Sequence, residues 1–119
     1  MGTTVAGFPN LLTATGPNGP FANFPPAIET EVEWISEIIE YVNAKGLTTV
    51  EATAKAEDAL TETCQELAKA SIFTKGETWI FDVNIPGKPR TVYFYMGGLN
   101  AYKELLTEIR EDGYRGVRL

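Results

Sequence analysis

The first 28 residues of the chain carry no charged side chain. A tract of that length without charge is not an ordinary solvated surface, so it is expected to be buried, or to line a ligand, along its whole length. It is neither a targeting signal nor a membrane span. No basic region precedes an apolar core, and Gly2, Gly7, Pro9, Gly16, Pro17, Gly19, Pro20, Pro25 and Pro26 break it throughout. Inside it, residues 11–15 form a brief apolar run with turn residues on both sides, which predicts a buried strand. A strand without alternation is covered on both faces, as in a parallel sheet under helices. A chain of 119 residues supplies few partners for such a sheet.

Charge is concentrated in the middle. Residues 27–70 hold ten acids and three bases, a net −7, whereas residues 71–119 carry +1. The overall charge of −6 argues against a nucleic-acid backbone as partner. The chain has no histidine, which removes imidazole bases, histidine-ligated metals and histidine-containing triads. Its one cysteine, Cys64, cannot form an internal disulfide, the usage expected in a reducing cytoplasm. With 44% hydrophobic and 22% charged residues, it has the composition of one folded segment, neither disordered nor embedded in a bilayer.

Three helices are legible. Pro25 and Pro26 suit a first helical turn, and Gly46 suits the end of that helix. Between them Ile28, Val32, Ile35, Ile39 and Val42, widened by Ile38, recur at helical spacing and predict the buried face, with Trp34 packing beside it. Glu29, Glu31 and Glu33 suit the helix dipole. A second, thinner helix is expected over 53–69, packed peripherally on Ala56, Leu60, Cys64 and Leu67. A third, capped by Asn100 and ended by Gly113, carries Tyr102, Leu105, Leu106 and Ile109. Residues 91–96 alternate as a strand, with Val92, Phe94 and Met96 on one face. A final short strand is expected within 114–119.

Two stretches are candidates for chemistry. The loop 16–26 leads from the expected strand into a helix N-terminus, where Gly16 and Gly19 permit close backbone approach and unpaired N–H groups favour an electron-rich ligand. Its Gly-x-x-Gly spacing is not a dinucleotide fingerprint, and a rigid buried turn is the alternative. The irregular stretch 73–90 is long for a loop and holds Trp79 and Phe81 near Lys75, Lys88 and Arg90, with a tight turn at 84–87. Trp79 either stacks on a phosphorylated nucleotide or is plain core. Cys64 reads as a small buried hydrophobe, and the acidic helix surfaces as solvated faces without metal-ligand spacing. No nucleophile–base pair can be assembled.

The blocks GFPNLLT from Gly7, GPNGPF from Gly16 and IETEVEWI from Ile28 nevertheless form a specific set. With FTKG from Phe73, WIF from Trp79, NIPGK from Asn84, FYMGGL from Phe94 and DGYRG from Asp112, they resemble, in order and spacing, the C-terminal portion of flavin-dependent Baeyer–Villiger monooxygenases of the cyclohexanone monooxygenase branch. The resemblance implies an α/β fold, α+β as an isolated piece, with three helices and a few short strands from a flavoprotein of two dinucleotide-binding domains. It divides the single segment 1–119 into a flavin-facing strand and loop (1–26), two acidic helices (27–70), a mobile loop (71–90), and a strand, helix and terminal strand (91–119).

That family uses FAD and NADPH with O2 to insert oxygen beside a ketone carbonyl, giving an ester or lactone. Its two glycine-rich fingerprints, its histidine-containing signature and its catalytic arginine have no counterparts here, so the chain is expected to be inactive alone and to need the missing FAD and NADP domains. By resemblance Phe24 matches a position that touches FAD and Trp79 one that reaches the nicotinamide cofactor when the loop closes. Thr13, Thr15 and Phe94 match positions lining the ketone pocket. The competing expectation is an autonomous, non-enzymatic α+β domain that binds a small molecule or a protein through the Trp79 loop.

Overall fold

The computed structural model describes residues 2–76, 78–81 and 85–119, apart from the side chains of residues 74 and 79. Helix α1, Phe24–Ala44, starts where Pro25 and Pro26 fit the first turn and closes with Gly46 at φ 64°. Helix α2, Ala54–Lys69, is capped by Thr53, whose hydroxyl accepts from the Ala56 N–H at 3.3 Å. Helix α3, Leu99–Glu111, is capped by Gly98 rather than by the expected Asn100. Gly98 holds φ 87°, so the chain turns more sharply there than an asparagine cap two residues later would allow.

Strands are minimal. β1 (Gly19–Pro20) runs parallel to β3 (Phe94–Tyr95), and β2 (Glu51–Ala52) runs antiparallel to β4 (Val117–Arg118). The architecture is therefore the expected three helices with a few short strands. The expected strand at 11–15 does not form. Only an antiparallel bridge, Thr4 to Leu12, is made there, Leu11 is 44% exposed, and Thr15 takes a left-handed φ of 56° that ends any extended run. The parallel partnership expected of this tract occurs a few residues later, at β1.

Residues 91–96 are also less regular than their alternation suggests. Val92 and Tyr95 are the buried pair, with Phe94 and Met96 half-buried. A side chain from α2 replaces a neighbouring strand at Val92: Gln65 Nε2 donates to the Val92 carbonyl at 3.0 Å, and the Val92 N–H donates to Gln65 Oε1 at 3.3 Å. Helix α2 packs on β3, and its Cys64 is fully buried, so it is central rather than peripheral. Residues 72–81 hold two short 3-10 turns, Ile72–Lys75 and Trp79–Phe81. Asn84 of the expected tight turn lies outside the described residues.

The face that α1 buries is rotated from the expected one. Ala27, Thr30, Glu31, Trp34, Ile38 and Val42 are buried, while Ile28, Val32 and Ile39 are exposed. The helix is apolar over a wide arc, and α3 covers only the side that holds Trp34. There the indole Nε1 donates to the Leu106 carbonyl at 3.3 Å and the ring meets Tyr114 edge-on at 5.7 Å. Among the described residues the rest of the arc is only partly covered, Ile28, Val32 and Ile39 being 38–47% exposed.

The uncharged tract is held mainly through its backbone. Glu57 accepts from the Ala6 N–H at 2.7 Å, Glu51 from Gly7 at 3.0 Å and Glu31 from Thr15 at 2.7 Å. Glu31 and Glu57, on helix surfaces expected to be solvated, and Glu51 of β2 thus satisfy backbone N–H groups of the tract. The tract is not buried along its length: Phe8 is 60% exposed, Phe21 40% and Phe24 59%. The chain exposes 7096 Å2, against about 6,400 Å2 for a sealed monomer of this mass. Its radius of gyration, 14.9 Å, likewise exceeds the ~13.5 Å of a close-packed chain of this length.

Candidate functional site

A cavity of about 550 Å3 lies between α2 and α3 and is lined by Ala56, Ala59, Leu60, Tyr95, Leu105 and Ile109 with Lys55 and Arg115 among its polar members. It contains none of the five residues expected to face cofactor or substrate, and no nucleophile–base pair. Its chemistry is that of packing.

Three of those five residues meet elsewhere. Thr15, Phe24 and Phe94 border one small recess at the start of α1, together with Gly16, Gly19, Pro20, Ala27 and Glu31. The pairing of β1 with β3 brings Phe94 to this end of the molecule, where its ring meets Phe21 edge-on at 5.4 Å. Phe21 in turn meets Phe73 at 5.3 Å, which ties the 72–75 turn to the same corner. Thr13 is separate. It faces a depression with Gly2, Asn18, Thr61 and Tyr93, and its hydroxyl donates to the Gly2 carbonyl at 3.3 Å. Trp79 lies in the second 3-10 turn, and its side chain is outside the described atoms.

The N-terminus of α1 differs from the donor-rich end expected of it. The first intrahelical bond runs from the Ala27 N–H to the Asn23 carbonyl at 3.2 Å. Of the N–H positions preceding it, Pro25 and Pro26 have none to offer, so Asn23 and Phe24 are left. With Phe24 59% exposed, this end presents an apolar wedge and few free N–H donors. The recess itself is small, about 10 Å3, with Phe24 at its rim and Phe94 and Thr15 among its other lining residues.

Glu31 is the member of the recess that sequence reasoning missed as a site residue. It is fully buried. Burial raises its carboxyl above the ordinary carboxylate range, against the opposing pull of the Thr15 N–H and the Tyr102 hydroxyl. Tyr102, also fully buried, is pushed upward by burial first and by Glu31 second, so it stays protonated and donates. Cys64 behaves as read: burial lifts its thiol to about 11, and it is no nucleophile at neutral pH. Among the described residues no three acids or cysteines converge as a metal-holding group, and no helix is long and apolar enough to cross a membrane.

No family model matches the chain. It is 47% identical over 116 residues to cyclohexanone 1,2-monooxygenase of Acinetobacter sp., covering 98% of this chain and 21% of that protein. It is 46% identical over 117 residues to a Baeyer–Villiger monooxygenase of Pseudooceanicola batsensis, covering 98% and 22%. A crystal structure of cyclohexanone monooxygenase from Rhodococcus sp. Phi1 bound to NADP+ superposes on 99% of this chain and 22% of that one, with a TM-score of 0.93 at 47% identity. The chain thus spans about a fifth of the length of the relatives it matches.

Proposed function

We propose, from the premise that this chain is a homologous segment of the flavin-dependent Baeyer–Villiger monooxygenases, that it forms one wall of such an enzyme's FAD- and NADP-dependent site and is inactive alone. The reaction of the assembled enzyme is oxygen insertion beside a ketone carbonyl, with a small-molecule ketone as substrate. The observation that carries this reading is the half-exposed apolar arc of α1. Ile28, Val32 and Ile39 are exposed on the same helix whose other side buries Trp34, Ile38 and Val42. A self-sufficient domain has no use for that arrangement, whereas a wall awaiting its chamber does.

When bound, the flavin supplies the oxygen-transfer chemistry. The residues here do the rest. Phe24, 59% exposed, would lie against the ring system and help to exclude water from it. Thr15 and Phe94 shape the ketone side of the same recess, and Thr13 extends that wall from the neighbouring depression. Trp79 is assigned to the nicotinamide cofactor by its match to the family alone. The acidic helices 27–70 serve as the scaffold for the wall. The site belongs to the cytoplasm, where NADPH is supplied.

The test is a hybrid enzyme in which this chain replaces the homologous fifth of the Acinetobacter sp. cyclohexanone 1,2-monooxygenase. Ketone-dependent NADPH oxidation is expected from the hybrid and none from the 119-residue chain alone. A hybrid that folds and holds FAD but oxidises NADPH without regard to ketone contradicts the reading. So does turnover by the isolated chain.

A further inference from the structure

We propose that Glu31 is a positioning residue, its carboxylate fixing the backbone of Thr15 and hence the wall that residues 15–19 give to the recess. That this wall faces a ketone rests on the function proposed above; that Glu31 sets it rests on geometry alone. Three local irregularities meet at this point. Glu31 is fully buried, whereas Glu29 and Glu33 on the same helix are exposed. Among the described residues no base reaches it. One carboxylate oxygen accepts the Thr15 N–H at 2.7 Å, a short charge-assisted bond, and the other accepts the Tyr102 hydroxyl at a longer 3.5 Å.

Thr15 itself holds φ 56°, a conformation that β-branched residues rarely adopt and that needs an external hold. Gly19 completes the arrangement. A Cβ there would lie 2.9 Å from Glu31 Oε1 and 3.0 Å from the Gly16 carbonyl, so the carboxylate fits only because position 19 has no side chain. A residue needed merely to fill this volume would be apolar, since burying a carboxylate is costly. What an acid adds is an acceptor aimed at one backbone N–H. Thr15, Gly16, Gly19, Phe24 and Phe94 border the same recess, so the bond sets the shape of that wall.

The test uses the full chain with nitrogen-15 labelling. The Thr15 amide proton is expected to lie downfield and to move with pH as Glu31 ionises. In Glu31→Gln it loses that pH dependence yet stays protected, because the amide carbonyl still accepts the N–H. In Glu31→Ala its hydrogen exchange speeds by about 10- to 100-fold. Glu29→Gln changes nothing at Thr15. A Thr15 amide indifferent to pH and to both Glu31 substitutions overturns the proposal, and if Glu31→Ala does not fold, the Glu31→Gln titration decides. In the hybrid enzyme, Glu31→Ala should raise KM for ketone with little change in kcat, and Glu31→Gln should restore it. An unchanged KM across both overturns the link to the ketone wall. A hybrid inactive even with Glu31 in place counts against the proposed function and leaves the Thr15 result standing.

Discussion

Helices α1 and α3 have similarly legible apolar patterns and use them differently. On α3 the expected stripe of Tyr102, Leu106 and Ile109 is the buried one, with Leu105 at its margin. On α1 much of the expected stripe faces outward, and a neighbouring face holding Trp34, Ile38 and a buried glutamate takes its place. The difference teaches that periodicity identifies apolar surface but not what covers it. α3 finds its cover within these residues. Among the described residues α1 is fully covered on one face only, and its half-exposed second apolar face is the structural mark on which the proposed enclosure rests.

That contrast can be broken by substitution. Ile38→Ala should cost about 2–4 kcal/mol in denaturant unfolding, because Ile38 is fully buried. Val32→Ala, an equally apolar position one face away, should change stability by no more than about 0.5 kcal/mol. Equal costs at the two positions would show that both faces are packed in solution.

A smaller effect sharpens the same comparison through Glu31. Burial raises its folded-state pKa above the ordinary 4.5, so its contribution is fully present below that ordinary value and lost as pH rises through the folded one. Glu31→Gln has no such loss. Thermal melts from pH 4 to 8 should show the variant gaining on the native chain as pH rises. Parallel profiles would mean that the carboxylate is solvated.

Much of the helical layout was readable because its punctuation is chemical. Pro25 and Pro26, the Thr53 cap and Gly113 each mark a helix end within a residue or two. The four strands are two residues each, too short to show a period, and Gly19–Pro20 reads as a turn by composition. The run at 11–15 misled because its apolar content mimics a buried strand, while the left-handed Thr15 that ends it has no sequence signature. Gly98 displaced Asn100 as a cap because a positive φ outweighed side-chain preference. Of the site residues, Thr15, Phe24 and Phe94 were brought together by a pairing that no local pattern announces. Glu31 was hidden among acids that suit a helix start. The one available signal was indirect: a 28-residue tract without charges must find acceptors for its N–H groups elsewhere.

Solvent access at position 32 tests most directly whether α1 awaits a cover. Cys64, fully buried with its thiol raised to about 11, should stay silent toward maleimide at neutral pH, so Val32→Cys supplies the only fast-labelling thiol of the isolated chain. Beside it, the same substitution is made in the hybrid enzyme, with labelling at position 32 followed by peptide mapping. Rapid labelling in the isolated chain and at least tenfold slower labelling at that position in the hybrid is the expected result. Equal rates in the two would contradict it, because the outward face of α1 would then be ordinary surface.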